Sequence, residues 1–335
     1  MKKYIMGIDI GGTKCAVLLG RAQGDADDIV IDKLRFETRV GRGWRAVTEE
    51  LLDNVEEIIK KNALSPEDIL CAGISCGGPL DSRRGVILAP PNLPDWECVP
   101  IVDMIEERFG FDAYLQNDAN ACALAEWQFG AGRGLRDIVF LTFGTGLGAG
   151  LILNGELYSG ANGNAGEVGH IRLAEYGPVG YGKRGSFEGF CSGAGIAKIA
   201  REKITEKLQM GERPAICEDF AKLDSMTAKS LAQAAETGDS LAIEIYEESG
   251  KMLGLGLSVI VDIINPQAII IGGVFSRSRE LLWPHAEKVL RREALGASLN
   301  ACKILTAELG ENVGDYAALS VAQYELGKAQ ARVGR

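Results

Sequence analysis

The amino-acid sequence predicts an α/β protein of two domains. The chain has 335 residues, and domains usually contain about 100–200 residues. Short apolar segments with strand character alternate with amphipathic helical segments, and no low-complexity linker interrupts them. A strand, a Gly-rich turn and a second strand occur near residue 10 and again near residue 145. This repetition suggests two related halves that face one ligand.

Composition excludes several other classes of protein. Hydrophobic residues make up 46% and charged residues 24% of the chain, as in ordinary globular proteins, so a disordered chain is excluded. The formal net charge of −10 disfavours binding to nucleic acids or anionic membranes. Glycine occurs 43 times, about twice its usual share. The excess predicts tight turns and close approaches of the backbone to a ligand.

The cysteines and the apolar segments indicate a cellular compartment. None of the eight cysteines forms a C-x-x-C pair, and several lie in apolar runs, so we expect free thiols in a reducing environment. The apolar part of the opening segment is too short for a signal peptide. No segment approaches the roughly 18 apolar residues of a membrane span. We therefore expect a soluble, cytoplasmic protein.

Periodicity and turn signals predict the elements of the first half of the chain. The predicted strands are 4–10, 15–20, 69–76 and one that ends at Leu115. The predicted helices are 44–61, 100–109 and 119–129. Residues 77–98 are rich in Gly, Pro and Asn, which is typical of a long functional loop.

The second half opens with the repeated strand–turn–strand pattern. Its predicted strands are 139–143, 151–153, 268–271 and 303–306. Its predicted helices are 194–208, 227–236, 240–264, 279–293 and 315–327. Residues 154–192 are Gly-rich with little periodicity.

The two Gly-rich turns are the first candidates for ligand binding. In Asp9-Ile10-Gly11-Gly12-Thr13-Lys14 the glycines let backbone N–H groups approach a phosphate, and Thr13 adds a hydroxyl donor. Asp9 could hold a metal–water shell beside it. The alternative is an ordinary hairpin turn, but Gly144-Thr145-Gly146-Leu147-Gly148 repeats the chemistry. A strand follows the glycines, which excludes a Rossmann fingerprint, and no Walker A motif occurs.

Four polar or Gly-rich groups are further candidates, each with a structural alternative. Asn117-Asp118 lies at a strand-to-helix junction, where Asp118 could simply be an N-cap. His170, in Gly166-Glu167-Val168-Gly169-His170, could be a structural histidine, and Glu188 a solvated carboxylate. Gly272-Gly273 could be a plain turn or a platform for a nucleotide base. From the residues alone these alternatives stay open.

Together, these motifs resemble one family over residues 5 to about 327. The order and spacing are similar to those of the ROK-family sugar kinases, which include glucokinases, fructokinases, N-acetylmannosamine kinases and N-acetylglucosamine kinases. The motifs that carry the resemblance are Asp9–Lys14, Asn117-Asp118-Ala119-Asn120-Ala121, Gly144–Gly148, Gly163-Asn164-Ala165-Gly166-Glu167-Val168-Gly169-His170 and Asn265-Pro266…Ile271-Gly272-Gly273-Val274.

The resemblance implies the actin-like ATPase (ribonuclease H-like) fold, with a cleft between two domains. We expect these domains to be 1–118 with 315–335, and 119–314. The implied cofactors are ATP and Mg²⁺, and the implied general base is Asp118. The implied nucleotide-binding residues are Asp9, Gly11, Gly12, Thr13, Lys14, Gly144, Thr145, Gly146, Gly272 and Gly273. The implied sugar-binding residues are Asn92, Asn117, Glu167, His170 and Glu188.

The implied function is transfer of phosphate from ATP to a hexose hydroxyl. The leading candidate for the acceptor is the 6-hydroxyl of glucose or a related hexose. Such chemistry needs positioned phosphates, Mg²⁺ and a carboxylate at the attacking hydroxyl. The alternative is a catalytically weak sugar-sensing regulatory protein of the same fold. The resemblance also implies a homodimer, with sugar and ATP as partners and no nucleic acid or membrane.

Two departures from the family pattern qualify the resemblance. Many members bind structural zinc with one histidine and three cysteines, but here the stretch reads Val179-Gly180-Tyr181-Gly182-Lys183-Arg184-Gly185-Ser186. Because the three cysteine positions hold other residues, we expect no structural zinc and a loop ordered by packing, with Tyr181 and Phe187 as the candidates. Family repressors carry an N-terminal helix-turn-helix domain. Here the first phosphate motif begins at Asp9, so we expect no such domain.

Overall fold

The protein divides into two compact units. The structure is a computed structural model that describes residues 3–24 and 28–333. The first unit comprises Met1–Gly134, Gly150–Ala165 and Glu311–Arg335, and the second comprises Leu135–Ala149 and Gly166–Gly310. The predicted domains divided the chain after residue 118 and before residue 315. In the structure, residues 119–134 and 150–165 group with the first unit instead.

The described residues form fourteen strands and ten α-helices. The strands are β1 Tyr4–Ile10, β2 Lys14–Arg21, β3 Val30–Glu37, β4 Ile69–Cys76, β5 Leu80–Asp81, β6 Val86–Ile87, β7 Asp112–Asn117, β8 Ile138–Phe143, β9 Leu147–Leu153, β10 Glu156–Leu157, β11 Val179–Gly180, β12 Lys183–Arg184, β13 Ala268–Ile271 and β14 Lys303–Thr306. The helices are α1 Trp44–Lys61, α2 Ile101–Phe109, α3 Asp118–Phe129, α4 Phe187–Phe190, α5 Gly193–Gln209, α6 Ala228–Glu236, α7 Ser240–Ile264, α8 Val274–Glu293, α9 Gly296–Ala301 and α10 Val313–Val333.

The first sheet has the strand order β3-β2-β1-β4-β7. Strand β1 runs antiparallel to β2 and parallel to β4, which in turn runs parallel to β7. The register pairs Ile10 with Cys76 and Cys76 with Asn117. The turn that follows β1 and the helix that follows β7 therefore begin at the same edge of the sheet.

Helices cover both faces of this sheet. Helix α1 buries apolar residues at helical spacing, among them Val47, Leu51 and Val55, in the core beside the strands. Helix α10 packs on β1 and β4. Its backbone approaches the sheet closely, because a Cβ on Gly73 would lie 2.1 Å from the carbonyl oxygen of Ala318. Glycine is thus required where helix and strand meet.

The second sheet has the strand order β10-β9-β8-β13-β14, and the boundary between the two units runs through β9. Strand β13 is parallel to both β8 and β14 and is fully buried, as its uninterrupted apolar sequence predicts. In the second unit, helix α7 packs against α8 at two glycines. A Cβ on Gly254 would lie 2.3 Å from the carbonyl oxygen of Ala286.

Most predicted elements are confirmed, and the differences have physical reasons. Strand β3 was not predicted, because it is an edge strand whose charged residues interrupt the apolar pattern. The short helix α9 was also missed. Helix α8 begins five residues before the predicted 279–293, but Ser278 has a non-helical backbone, so the predicted segment corresponds to the part beyond this kink. Among the described residues, no helix combines the length and apolarity needed to cross a membrane.

Candidate functional site

The first Gly-rich turn joins β1 to β2 and is held at both ends by Thr38. The backbone N–H of Gly11 donates to the carbonyl oxygen of Lys14 at 3.1 Å, which closes the turn. The Thr38 hydroxyl donates to the Gly11 carbonyl oxygen at 2.5 Å, and its backbone N–H donates to the Thr13 carbonyl oxygen at 2.9 Å. Thr38 is fully buried directly after β3. A residue that the sequence analysis did not consider therefore sets the shape of this turn.

Asn92 packs directly against the same turn. A Cβ on Gly12 would lie 2.6 Å from the Asn92 carbonyl oxygen and 2.8 Å from its Cβ, closer than side-chain carbons approach other atoms. The Asn92 side chain is exposed. The structure thus brings the candidate sugar residue of the 77–98 loop next to the candidate phosphate turn, and glycine is needed at position 12.

Two carboxylates of the first unit, those of Asp315 and Asp118, act on Asp9. Partial burial, followed by the negative charges of Asp315 and Asp118, raises the pKa of Asp9 to about 7, although Lys33 and Arg35 oppose this shift. Asp315 forms an ion pair with Lys33. Mg²⁺ in nucleotide sites commonly binds through one or two carboxylates together with substrate phosphates. A carboxylate destabilised by neighbouring negative charge fits this donor set.

At the junction between β7 and α3, the adjacent side chains of Asn117 and Asp118 have different hydrogen-bond partners. Asn117 is the N-cap of α3, because its side-chain oxygen accepts a hydrogen bond from the backbone N–H of Asn120 at 2.7 Å. Asp118 is the first helical residue, and its carboxylate accepts from the adjacent N–H of Ala119, at 2.8 Å, and from its own backbone N–H. The alternative that Asp118 is the N-cap is therefore wrong.

The Asp118 carboxylate combines solvent access with a perturbed acidity. Its side chain is exposed, yet the density of protein around it raises the pKa of Asp118 above its ordinary value, with the Ala119 N–H acting in the opposite direction. A carboxylate that a ligand can reach and that binds protons more tightly than usual is suited to general base catalysis.

The second Gly-rich turn joins β8 to β9 and contacts Glu188. The Glu188 Oε2 atom accepts a hydrogen bond from the backbone N–H of Leu147 at 3.0 Å. The same oxygen lies 2.7 Å from where a Cβ on Gly146 would be. The backbone N–H of Gly193, at the start of α5, donates to the Gly144 carbonyl oxygen at 2.8 Å. Glu188 is half-buried and bonded to the turn, so its interpretation as a merely solvated carboxylate is wrong.

Gly272 and Gly273 follow β13 and lie beside the same turn. The backbone N–H of Gly272 donates to the Leu141 carbonyl oxygen at 3.0 Å. Gly273 has a φ of +65°, and a Cβ there would lie 2.1 Å from the carbonyl oxygen of Phe143, the residue before Gly144. The structure therefore brings the second Gly-rich turn and the Gly-Gly pair together within the second unit.

Glu167 precedes the short 3₁₀ turn Val168–His170, and His170 ends it. Glu167 is exposed and His170 is half-buried. The His170 ring meets the Tyr181 ring edge-on, with centroids 5.2 Å apart and planes at 80°. Gly169 packs against the start of β9, because a Cβ there would lie 2.2 Å from the Leu147 carbonyl oxygen. His170 and Glu188 are thus both close to the second Gly-rich turn.

The stretch that departs from the family pattern forms an ordered hairpin and a helix start. Ser186 is the N-cap of α4, with its hydroxyl oxygen accepting from the Gly189 N–H at 3.1 Å. Phe187 is fully buried and fills the space over Gly256, whereas Tyr181 is 66% exposed. Within residues 3–24 and 28–333, no three His, Cys, Asp or Glu side chains are grouped so that they could hold a metal ion. The absence of zinc stays a prediction.

The chain is similar to known proteins over nearly its whole length. The model of the ROK family matches residues 5–325. A glucokinase from Thermotoga maritima is 32% identical over 97% of this chain and 99% of its own. A xylose repressor from Caldicellulosiruptor bescii is 30% identical over 91% of this chain and 74% of its own.

A solved structure extends the comparison to three dimensions. The ROK family glucokinase from Streptomyces griseus, in complex with glucose and AMPPNP, has a TM-score of 0.72 and 29% identity, covering 94% of this chain and 97% of its own. The family model and the structural likeness both span nearly the whole chain. The chain therefore has the actin-like ATPase fold and belongs to the ROK family.

Proposed function

We propose that this protein is an ATP-dependent sugar kinase that phosphorylates a hexose, with the 6-hydroxyl of glucose or a related hexose as the acceptor. The observation that carries the proposal is Asp118, an accessible carboxylate whose pKa is raised. It lies in the same unit as the first Gly-rich turn. The similarity to the Thermotoga maritima glucokinase supports the same activity.

The two Gly-rich turns are the proposed phosphate-binding elements. Gly11, Gly12, Thr13 and Lys14 of the first turn and Gly144, Thr145 and Gly146 of the second would present backbone N–H, hydroxyl and ammonium donors to the ATP phosphates. Gly272 and Gly273 would border the adenosine. The Streptomyces griseus glucokinase binds AMPPNP, which supports ATP as the donor.

Asp9 is the proposed residue beside the metal. Its raised pKa and its carboxylate neighbours fit a bound Mg²⁺, which when present would neutralise charge on the phosphates. Asp118 would accept the proton of the attacking sugar hydroxyl as its oxygen bonds to the γ-phosphorus and the bond from that phosphorus to the β,γ-bridging oxygen breaks.

Five polar side chains are the proposed sugar ligands. Each sugar hydroxyl both donates and accepts hydrogen bonds, so a mixture of amides, carboxylates and an imidazole suits a polyhydroxylated ligand. In the first unit Asn92 lies against Gly12 and Asn117 precedes Asp118. Glu167, His170 and Glu188, the other proposed ligands, belong to the second unit.

A sugar-sensing regulatory protein is the second candidate function. The similarity to the xylose repressor of Caldicellulosiruptor bescii favours it, since that relative is a regulator of nearly equal identity. A sensor needs sugar binding but no base. The accessible Asp118 carboxylate therefore favours the kinase.

One assay separates the two candidates. ADP release with Mg²⁺ and ATP is measured across hexoses, amino sugars and disaccharides, and each product is analysed for a sugar phosphate. The kinase predicts sugar-dependent ADP release with equimolar sugar phosphate from at least one hexose. Calorimetrically detected sugar binding without phosphorylation of any sugar would establish the sensor and contradict the kinase.

A further inference from the structure

The hairpin of β11 and β12, residues 179–184, has an unusual turn. Tyr181 and Gly182 both have positive φ, at 41° and 76°, and they connect Gly180 to Lys183 as a two-residue type I′ turn. Asn-Gly is the favoured pair for such turns, whereas a bulky residue in the left-handed region is unfavourable. A tyrosine at position 181 therefore costs conformational free energy relative to asparagine or glycine.

One side of this hairpin contacts His170 twice. The Lys183 ammonium group donates to the His170 carbonyl oxygen at 2.7 Å, and a hydrogen bond from a charged donor is stronger than a neutral one. The Tyr181 ring lies edge-on to the His170 ring. The hairpin thus contacts both the backbone and the side chain of His170, which ends a 3₁₀ turn whose own hydrogen bonds are intrinsically poor.

The other side of the hairpin rests on the start of α4. A Cβ on Gly180 would lie 2.6 Å from the Gly189 backbone nitrogen and 3.0 Å from the Glu188 Cβ. The hairpin is therefore fixed against the helix that presents Glu188. Because His170 contacts the same hairpin, its position relative to the Glu188 carboxylate is also fixed.

We propose that Lys183 and Tyr181 are positioning residues that fix His170 for sugar binding. Lys183 holds its backbone, and Tyr181 sets the orientation of its ring. The inference rests on the proposed function, since it takes His170 as a sugar ligand. A purely structural role does not account for Tyr181, because the residue is 66% exposed and its positive φ is unfavourable for a bulky side chain. The left-handed backbone of Tyr181 places its ring in contact with the His170 ring.

The experiment uses three variants and a matched control in the full-length protein. Lys183→Met removes the ammonium donor, and Lys183→Arg retains a charged donor. Tyr181→Asn removes the ring while placing a favourable residue in the type I′ turn. Lys198→Met is the control, because Lys198 also donates to a carbonyl oxygen of this hairpin, that of Val179 at 2.6 Å, without contacting His170.

The measurements are the KM for sugar, the KM for ATP and the thermal unfolding temperature. We expect Lys183→Met and Tyr181→Asn to raise the sugar KM about tenfold or more, because small displacements of a binding group are costly. The ATP KM should stay within about twofold. Lys183→Arg and Lys198→Met should resemble the wild type, and Tyr181→Asn should unfold at the wild-type temperature or above.

Specific outcomes would overturn the inference. It fails if Tyr181→Asn and Lys183→Met keep the wild-type sugar KM, or if Lys198→Met raises that KM as much as Lys183→Met does. If Lys183→Met does not fold, Tyr181→Asn decides the question alone. A wild-type protein that phosphorylates no sugar contradicts the proposed kinase instead, and the same comparison is then made on calorimetric affinities for glucose.

Discussion

The Asn92 carbonyl oxygen occupies the space that the first side-chain carbon of any larger residue at Gly12 would need, at a separation of only 2.6 Å. The first Gly-rich turn and the 77–98 loop are therefore shaped by each other. A change on one side of this contact is transmitted to the other, which links a proposed phosphate-binding residue to a proposed sugar-binding residue.

Replacement of Gly12 by alanine tests this contact. The added methyl group must displace Asn92 or the turn, so we expect kcat/KM to fall on the order of 10²-fold, with both the sugar KM and the ATP KM raised. Gly41→Ala is the matched control, because nothing lies within 4 Å of a Cβ at Gly41. Equal kinetics for the two variants would show that the contact has no functional consequence.

Replacement of Asp118 by asparagine tests the general base. The amide keeps the shape of the side chain but accepts no proton, so kcat should fall on the order of 10²–10⁴-fold, while sugar affinity changes far less. Asp103→Asn provides the comparison, because Asp103 is also an exposed aspartate in the first turn of a helix. Retention of more than about a tenth of kcat in Asp118→Asn would refute the assignment.

The raised pKa of Asp118 predicts an acid limb in the pH profile. The base works only when deprotonated, so kcat/KM should decline as the pH falls through this pKa, which lies above the ordinary value of 3.8. The residual activity of Asp118→Asn should lose the part of this limb that is due to Asp118, whereas Asp9, whose pKa is raised to about 7, still titrates in the variant. A wild-type profile that stays flat down to pH 4 would contradict the prediction.

The stability of the protein should respond to pH in the opposite sense. With a raised pKa, the native state binds a proton that the unfolded state has already released, so the free energy of unfolding decreases as the pH rises from about 4 through the raised pKa. Asp118→Asn removes this contribution. Urea unfolding at several pH values should therefore show a shallower decline in the variant than in the wild type.

Thr38 is expected to support nucleotide binding through the first turn. Thr38→Val is nearly isosteric but removes the hydroxyl donor to Gly11, a loss of about 1 kcal/mol in stability that should also raise the ATP KM several-fold. Thr38→Ser retains the hydroxyl and should restore the ATP KM. Identical ATP KM values for the valine and serine variants would show that the hydrogen bond does not shape the turn.

The purified protein is expected to contain well under one zinc ion per chain. Structural zinc usually takes four Cys or His ligands, and near His170 the only thiol in sequence is Cys191. Burial raises the pKa of Cys191, and its Sγ donates to the Ser249 carbonyl oxygen at 3.4 Å, which disfavours the thiolate that zinc needs. Elemental analysis and activity after a zinc-selective chelator, with Mg²⁺ resupplied, test this; stoichiometric zinc would refute it.

Local patterns predicted the parts of the site that are contiguous in sequence. Both hairpins with Gly-rich turns, the Asn117-Asp118 junction and the Gly272-Gly273 pair were recognisable because glycine and capping residues have short-range conformational preferences. The sequence analysis considered Asp118 as the N-cap and did not consider Asn117, although both residue types cap helices well. Only the hydrogen bond to Asn120 decides between them.

The remaining parts depend on contacts between residues that are distant in sequence. Lys33 and Asp315 are 282 positions apart, and Thr38 acts on a turn that precedes it by more than twenty residues. Lys183 donates to the backbone carbonyl oxygen of His170. Every residue has such a carbonyl group, so the sequence does not indicate this partner. No local periodicity encodes such pairs, so they became visible only when the fold brought the segments together.

The position of α10 has a consequence for the order of folding during synthesis. This helix covers β1 and β4, yet the ribosome makes the whole second unit between β7 and α10. Until α10 has been synthesised, the face of the first sheet on which it packs is exposed to solvent, including Gly73, which α10 contacts closely. Such delayed, non-local closure slows folding and leaves an apolar surface exposed to other chains. We therefore expect the nascent first unit to be the species of this protein that is most prone to aggregation.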